Sequence, residues 1–545
     1  MYYTIGLKVY DFLAGKLSLG KSKHIKTKET VSRLSTLKQE KLKGGVVYKD
    51  GQFDDSRLAI NVAQSCIEEG ATLLNYFKVN GLEKDEKGNI SGVKATDTET
   101  NIDYTFKGKS VVNATGIFTD EIIQMDNPEA RKMVRPSQGV HLVFDKSFLP
   151  GDDAIMIPKT DDGRVLFAVP WHDKVIVGTT DTMLDEHSLE PQAQEQEIEF
   201  ILKTFNKYIE KQATRDDVLS IYAGLRPLAA PKDNSEKSKE ISRSHKIIVS
   251  KTGLVTITGG KWTTFRRMAQ DTINKIINIG KLPKKECKTA NFALHGAEPM
   301  TNLDNHLYIY GSDKEKIESL MQKEPHLAEK LNPRLPFTKA EVIWAVRHEM
   351  ARTIDDVLSR RVRALFLNAK AAIESAPIVA EILAQELDKD ENWKTLECSL
   401  RFDENILEFD IYPTLIGKLL RVQDYMILKL IHDIGMSRPI YFAATVANNN
   451  QMGLEKYLSM EGMTYRLSSK SNPGNLHGIN YNKMKKNLTQ SSLEKIIYNA
   501  EDYNILLSNN DGVYRYRNLN DSSIFYNDNI ERLVQNYRIG FIRLA

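Results

Sequence analysis

Cysteine is scarce: three residues in 545, Cys66, Cys287 and Cys398, lie far apart in sequence. Their number and spacing fit neither a disulfide framework nor a zinc motif, which excludes a disulfide-stapled secreted fold and leaves no metal site to expect. A reducing, cytoplasmic setting follows. Long apolar runs are absent too. No stretch approaches the ~18 uninterrupted apolar residues of a membrane span, and the opening MYYTIGLKVYDFLAG has no basic leader, so neither a transmembrane helix nor a signal peptide is expected. Any membrane contact is then peripheral. A strong charge of either sign is also missing. With 75 Lys and Arg against 72 Asp and Glu, the net +3 lacks the basic footprint of a nucleic-acid binder. Glycine, at 31 residues, is nowhere arranged as G-x-G-x-x-G, the turn that cradles the phosphates of a dinucleotide.

What is present suits a folded, multi-domain chain. Hydrophobic residues at 41% and charged residues at 27% are ordinary globular proportions, and the length suggests three or four domains at roughly 100–200 residues each. Lysines crowd the segment from Lys16 to Lys43, which reads either as a solvated loop and helix face or as a surface for anionic lipid headgroups. A helix is expected over DDSRLAINVAQSCIEEGA, with Leu58, Val62 and Ile67 on one face, then a strand at TLLNYFKV. Turn signals at 85–89 and 97–101 divide a meander that ends in VVNATG.

From 131 to 260 the chain is strand-rich, with VHLVFD, AIMIP, RVLFAVPW and KVIVGTTD, and a polar helix at about 191–211. An antiparallel sheet is expected. GLVTITGGKWTTFRRMAQDTINKII then reads as strand, Gly-Gly turn and helix, with Phe265, Met268, Ala269, Ile273, Ile276 and Ile277 on one helix face. Residues 290–395 are helical in pattern, AEVIWAVRHEMARTIDDVLSRRVRALF forming one long amphipathic run. Beyond Cys398 the composition becomes Asn- and Tyr-rich. The expected units are 1–289, with a substrate sheet mainly in 131–225, a helical cap at 290–396 and an unrelated segment at 397–545.

Several motifs carry chemistry. Asn113, Ala114, Thr115 and Gly116 form a small-residue strand end, where a doubly wound sheet lets backbone approach a nucleotide; a strand leaving its sheet explains them equally well. Gly178, Thr179, Thr180 and Asp181 form a second such turn. Gly259 and Gly260 permit close approach, and Thr263 or Thr264 can cap the following helix, whose free N–H groups suit an anion. Arg226, Arg243 and Lys261 offer the planar donors and point charge that a phosphate dianion takes. His141, within a strand pattern, is either a core histidine or a base whose ordinary pKa already suits proton transfer.

In order, IGLKVYDFLAG, VVNATG, SQGVHLVF, VPWHDKVIVGTTD, YAGLRPL, SRSHKI, GGKWTTFRRMAQ and RHEMARTIDDVLSRRVRALFLNA resemble FAD-dependent glycerol-3-phosphate dehydrogenase over residues 5–395. The resemblance implies an α/β (α+β) architecture, with FAD in a doubly wound domain, substrate on an antiparallel sheet and a helical cap. It implies hydride transfer from C2 of sn-glycerol 3-phosphate to flavin and onward transfer of electrons to quinone, or to oxygen in an oxidase. Arg226 and Arg243 would hold substrate, Lys261 would sit beside flavin and substrate, and His141 would take the hydroxyl proton. The NATG, GTTD and GGKWTT residues would border FAD.

The family's opening strand, G-x-G-x-x-G turn and helix have no counterpart in the sequence, so an N-terminally truncated FAD domain is expected. Residues 400–545 resemble the soluble tail of multi-pass membrane proteins related to glycosyltransferases, as in a fusion of two incomplete genes. A non-catalytic fragment acting as a binding module is the alternative reading.

Overall fold

The computed structural model describes residues 2–15, 18–158, 160, 163–229, 245–299, 305–389, 396–402 and 405–411, and beyond these 431, 440–443, 454, 457–460, 464–468 and 478–479. Contacts divide the chain into two compact units, Met1–Leu383 and Ala384–Ala545. In the first, α1 (Tyr2–Ala14) precedes β1 (Lys23–Ile25), α2 (Thr27–Arg33) and β2 (Gly45–Val47), with β1 and β2 antiparallel. The Lys-rich segment thus contains more than a loop and helix face. Ile25 and Leu37 are buried, and Leu37 joins the main core.

The helix α3 (Asp55–Glu68) starts at an Asp54 cap that accepts the Arg57 N–H at 3.0 Å. Its buried face is not the apolar one read from the sequence: Ile67 is exposed, while Arg57, Gln64 and Ser65 are buried. The cause is a polar counterpart in the cap region. Arg57 ion-pairs with Glu349, lies 4.4 Å from the Tyr310 ring centroid and donates to the Arg361 carbonyl at 3.1 Å. The His295 ring sits between Glu68 and Asp313, 2.6 Å from each.

A three-stranded antiparallel meander follows, β3 (Phe77–Lys84), β4 (Ile90–Asp97) and β5 (Ile102–Lys107). The expected strand at 72–79 begins only at Phe77, because Tyr76 is left-handed at φ 60° and its hydroxyl is bound by Asp356 at 2.8 Å. β6 (Val112–Asn113) and α4 (Thr119–Asp126) lead to the expected antiparallel sheet, built from β7 (Val134–Asp145), β8 (Ile155–Ile157), β9 (Leu166–Trp171), β10 (Lys174–Gly178) and β11 (Thr182–Met183). After α5 (Glu195–Asn206), β12 (Ser220–Ala229) pairs with β7 along its whole length.

One face of this sheet is apolar. Val140, Leu142, Phe144, Ala168, Val175 and Val177 pack with Ile198, Ile201 and Phe205 of α5, which makes the principal core. The other face carries Ser137, Gly139 and His141 opposite Arg226, Gly224 and Tyr222.

β13 (His245–Val249) pairs antiparallel with β14 (Val255–Gly259), and β14 pairs parallel with β6 before α6 (Phe265–Ile279). This is the α/β element of the mixed fold. The apolar face expected on α6 is only partly covered among the described residues: Ala269 and Ile273 are exposed and Thr272 is buried.

The cap contains α7 (Lys314–Lys323), α8 (Lys339–His348), α9 (Ala364–Leu367) and α10 (Ala369–Glu386). The single long helix expected through 340–366 is broken. Met350 and Arg363 are left-handed at φ 58° and 60°, and Thr353 and Asp356 exchange side-chain-to-backbone bonds at 3.2 and 3.1 Å, starting a new turn at Asp356. This T-x-x-D signal was legible but hidden inside an apolar period.

The second unit contains the hairpin β15 (Leu396–Phe402) and β16 (Asn405–Ile411). It also holds a sheet of β17 (Tyr441–Ala443), β18 (Leu458–Met460), β19 (Thr464–Leu467) and β20 (Gly478–Ile479), with Leu458, Met460, Tyr465 and Leu467 buried. Most of the segments that carried the tail's resemblance, and residues 390–395 just before the expected boundary at 397, lie outside the described residues.

Removing one partner of a sealed ion pair leaves the other charge buried alone. Glu349→Ala should therefore lower stability by about 3–5 kcal/mol, whereas Glu99→Ala, which breaks the half-exposed pair with Arg352, should cost about 0–1 kcal/mol. Denaturant unfolding that gave equal losses would contradict this ranking.

Candidate active site

The pairing of β7 with β12 sets Tyr222 opposite His141, Gly224 opposite Gly139 and Arg226 opposite Ser137, while β10 sets Gly178 opposite His141 from the other edge. These positions share a face, so the glycines become floor and the larger side chains lie across them. A Cβ on Gly139 would collide with the Arg226 guanidinium, and one on Gly178 with the His141 ring. Above Gly224 and Gly116, a Cβ would meet nothing within 4 Å.

Arg226 is gripped by the turn that follows β10. It donates to Thr179 Oγ1 at 3.1 Å and to the Thr180 carbonyl at 3.3 Å, and stands 3.7 Å from the Asp181 carboxylate. Asp181 also accepts a bond from the Ser137 hydroxyl. Burial lowers the guanidinium's pKa from its ordinary value against the pull of Asp181, with Arg164 adding a further lowering.

His141 stacks on Tyr222, with centroids 5.1 Å apart and planes at 15°. Burial first, and the Arg226 charge second, bring its pKa down to about 4. A base working without large perturbation was expected; the structure instead holds a strongly neutral imidazole. Burial also raises the Tyr222 phenol well above its ordinary value.

Behind the sheet, the GTTD turn is fixed by Glu197, a residue the sequence left on an unremarkable polar helix. Its carboxylate accepts from Thr180 Oγ1 at 2.8 Å, Thr182 Oγ1 at 2.7 Å, Gln138 Nε2 at 2.7 Å and the Gln194 N–H at 3.0 Å. Burial pushes this carboxyl up, but the four donors outweigh it and hold Glu197 below the usual carboxylate range. The only sequence signal was Glu197 three residues after the helix-capping Gln194.

The second set of candidate residues gathers where β6 and β14 run parallel. Asn113 is buried and pins its own turn, donating to the Thr119 carbonyl at 2.9 Å and accepting the Thr115 hydroxyl at 2.7 Å. Ala114 is exposed and Gly116 takes φ 61°, opening a short turn that packs against β7 and β12. Gly259 and Gly260 are both left-handed, at φ 72° and 76°.

The capping role expected of Thr263 or Thr264 is not realised. A 3-10 turn over Trp262–Thr264 precedes α6, Thr263 is exposed, and the Thr264 hydroxyl donates to the Lys261 carbonyl at 2.9 Å instead of accepting a helix N–H. Lys261 is exposed at the head of this turn, and among the described residues no hydrogen bond or ion pair joins it to Arg226 or His141. Arg243 lies outside the described residues. None of the described residues forms a cluster that could hold a metal ion.

A parallel strand–turn–helix element beside an antiparallel sheet with a cationic, glycine-floored face defines a flavin-dependent oxidoreductase of the FAD dependent oxidoreductase family, whose model matches residues 7–266. Residues 250–394 match the C-terminal domain of alpha-glycerophosphate oxidase, and 344–492 match TMEM260-associated domain 2. The chain is 35% identical over 475 residues to the mitochondrial glycerol-3-phosphate dehydrogenase of Saccharomyces cerevisiae, covering 74% of this chain and 73% of that protein. It is 37% identical over 420 residues to a probable mitochondrial glycerol-3-phosphate dehydrogenase of Caenorhabditis elegans, covering 73% of this chain but 57% of the relative. Among solved structures, a Bacillus halodurans glycerol-3-phosphate dehydrogenase complexed with FAD matches with a TM-score of 0.59 and 29% identity, over 68% of this chain and 76% of that one. The chain belongs to the FAD-dependent glycerol-3-phosphate dehydrogenase family.

The His141 geometry sets a titration. A histidine depressed from 6.5 to about 4 leaves the folded state with fewer bound protons than the unfolded state in that window. The stability it contributes is complete above 6.5 and drains as pH falls toward 4. Ring NMR should find a midpoint near 4 for His141; a midpoint at or above 6.5 would contradict the packing. Replacement by Gln should flatten the acid slope of stability.

Proposed function

We propose that this chain oxidises sn-glycerol 3-phosphate to dihydroxyacetone phosphate on the glycine-floored face, with Arg226 taking the substrate phosphate and His141 taking the C2 hydroxyl proton. The observation that carries the reading is the Arg226 guanidinium, half-buried and held by Thr179, Thr180 and Asp181 at the rim of that face. A dianion there meets a planar donor already oriented and partly stripped of water. A neutral imidazole four cross-strand pairs along the ladder, on the same face, is in the protonation state that a base needs. Arg243 is proposed as a second phosphate-side guanidinium and Lys261 as a nearby point charge.

The residues at the β6–β14 end fit one end of FAD. Gly259 and Gly260 are consecutive left-handed glycines, the Cβ side of Gly260 being filled by Met268 and His245, and the Thr258 hydroxyl on the same strand is buried with no hydrogen-bond partner among the described residues. The head of the 15-residue α6 has no acidic side chain in its first turn, so its N–H groups would favour negative charge on a reduced ring. Gly116, Gly178 and Thr179 would line the approach from the sheet side. A flavin bound there supplies the acceptor for the hydride leaving C2. The 545 residues hold no G-x-G-x-x-G turn; the contacts named above are those that the described residues offer a flavin.

Quinone is the proposed onward acceptor, reached at a membrane surface from an aqueous, reducing compartment. In support, α1 presents Phe12 and Leu13 at 85% and 77% exposure, with Leu19 exposed beside the lysines that follow. Apolar side chains beside lysines are the pairing that anionic bilayer surfaces attract. No helix among the described residues is long and apolar enough to cross a membrane.

Three outcomes are expected. Added FAD should give the chain a bound-flavin spectrum, and Gly259→Val with Gly260→Val should abolish it; an unchanged spectrum in that variant would overturn the placement of the flavin at the β6–β14 end. Arg226→Ala should weaken sn-glycerol 3-phosphate binding ten- to hundredfold, the ~1.5–3 kcal/mol of a charge-assisted bond, and leave FAD affinity unchanged; equal substrate affinity would remove Arg226 from the site. The chain should sediment with vesicles containing anionic lipid and not with neutral ones, and Phe12→Ser with Leu13→Ser should abolish this. Lipid-independent recovery would end the membrane reading.

A further inference from the structure

In the turn between β10 and β11 the side chains of Thr179–Thr182 go to opposite sides of the sheet. Thr179 and Asp181 reach Arg226 on the substrate face, while Thr180 and Thr182 turn toward α5 and meet Glu197. Thr182 pairs with Gln138 across the β11–β7 ladder, and Gln138 also donates to Glu197. One carboxylate therefore collects both threonine hydroxyls, the neighbouring strand's amide and the Gln194 N–H, with both oxygens engaged.

Glu197 is 5% exposed, and Thr180 and Gln138 are each 1% exposed. A capping-box glutamate needs only its own helix N–H; here that bond is one of four, and the other three fix the turn. The coupling is spelled out at Thr180. Its single hydroxyl proton goes to Glu197, and its oxygen accepts the Val140 N–H at 3.0 Å, so the side chain cannot rotate without losing both. Its carbonyl, fixed by the same backbone, is an acceptor for Arg226.

We propose that Glu197 is a positioning residue for substrate binding: from behind the sheet it locks the Thr180–Thr182 backbone, and through that backbone it aims Arg226 at the anion. This rests on Arg226 being the phosphate ligand. Other charged groups near Arg226 are Asp181 at 3.7 Å and Arg164.

The test is a double-mutant cycle on the full chain, with isothermal titration of sn-glycerol 3-phosphate and the Arg226 Nε–Hε signal in 15N NMR as separate readouts. Glu197→Gln keeps the shape but puts an NH₂ against the Gln138 and Gln194 donors. Alone it should weaken binding roughly tenfold, the scale of one misplaced charge-assisted bond. In an Arg226→Ala background it should change affinity by less than about twofold, because coupled residues are not additive. Thr180→Val, which deletes only the hydroxyl, should reproduce the single-mutant loss and serves if Glu197→Gln fails to fold.

Equal losses from Glu197→Gln in both backgrounds would reduce Glu197 to a structural part and overturn the proposal. If Arg226→Ala alone left affinity intact, the substrate reading would fall, and the NMR signal would then decide the positioning claim. In Glu197→Gln and Thr180→Val it should broaden or shift as the guanidinium loses its fixed acceptors. An unchanged signal would refute the link.

Discussion

Ten consecutive residue pairs join Val134–Val143 of β7 to Ser220–Ala229 of β12, and the candidate site is a consequence of that register. Side chains alternate across a strand, so a slip by one residue would carry His141 and Tyr222 into the apolar layer and drive Leu142 outward. The slip is blocked by the core on the other face, where Val140, Leu142 and Phe144 pack against α5. Apolar burial on one side of the sheet thereby places a guanidinium, an imidazole and two glycines on the other. The turn after β10 completes the arrangement, and Glu197 secures that turn from the core side.

Desolvation then separates the roles of the polar groups. The same burial that depresses the His141 pKa and leaves its ring neutral makes Arg226 depend on Thr179, Thr180 and Asp181 for partners. Close packing also explains why glycine stands at 139 and 178: any side chain would occupy the volume of Arg226 or His141. The polar seam between α3 and the cap follows similar rules at larger scale, with Arg57, Glu349 and His295 binding regions more than 200 residues apart in sequence.

Much of this was legible in the sequence where local pattern decides structure. Alternation exposed the strands of the antiparallel sheet, turn residues exposed the meander, and Gly259–Gly260 marked the strand-to-helix turn. The family resemblance put Arg226, Arg243, Lys261 and His141 about the substrate and Thr179–Asp181 beside FAD; the fold brings His141, Arg226 and Thr179–Asp181 together, with no bond joining Lys261 to them among the described residues. Pattern failed where a distant partner overrides it. Periodicity chose Leu58, Val62 and Ile67 as the buried face of α3 because it could not foresee a buried Glu349 waiting for Arg57. It ran 340–366 into one helix because left-handed Met350 and Arg363 carry no compositional mark. It passed over Glu197 because the residue's importance comes from Gln138, Thr180 and Thr182, which no spacing rule connects to it. The His141 pKa, too, depends on packing that a strand pattern does not contain.

The central claim is that this face binds sn-glycerol 3-phosphate with its C2 directed at a flavin held by the β6–β14 end. Anaerobic mixing of the chain with excess FAD and then with sn-glycerol 3-phosphate tests it most directly. The account predicts loss of the visible flavin absorbance together with a stoichiometric amount of dihydroxyacetone phosphate, and no change with the mirror-image substrate. A flavin spectrum that forms but stays oxidised with the correct substrate would contradict it.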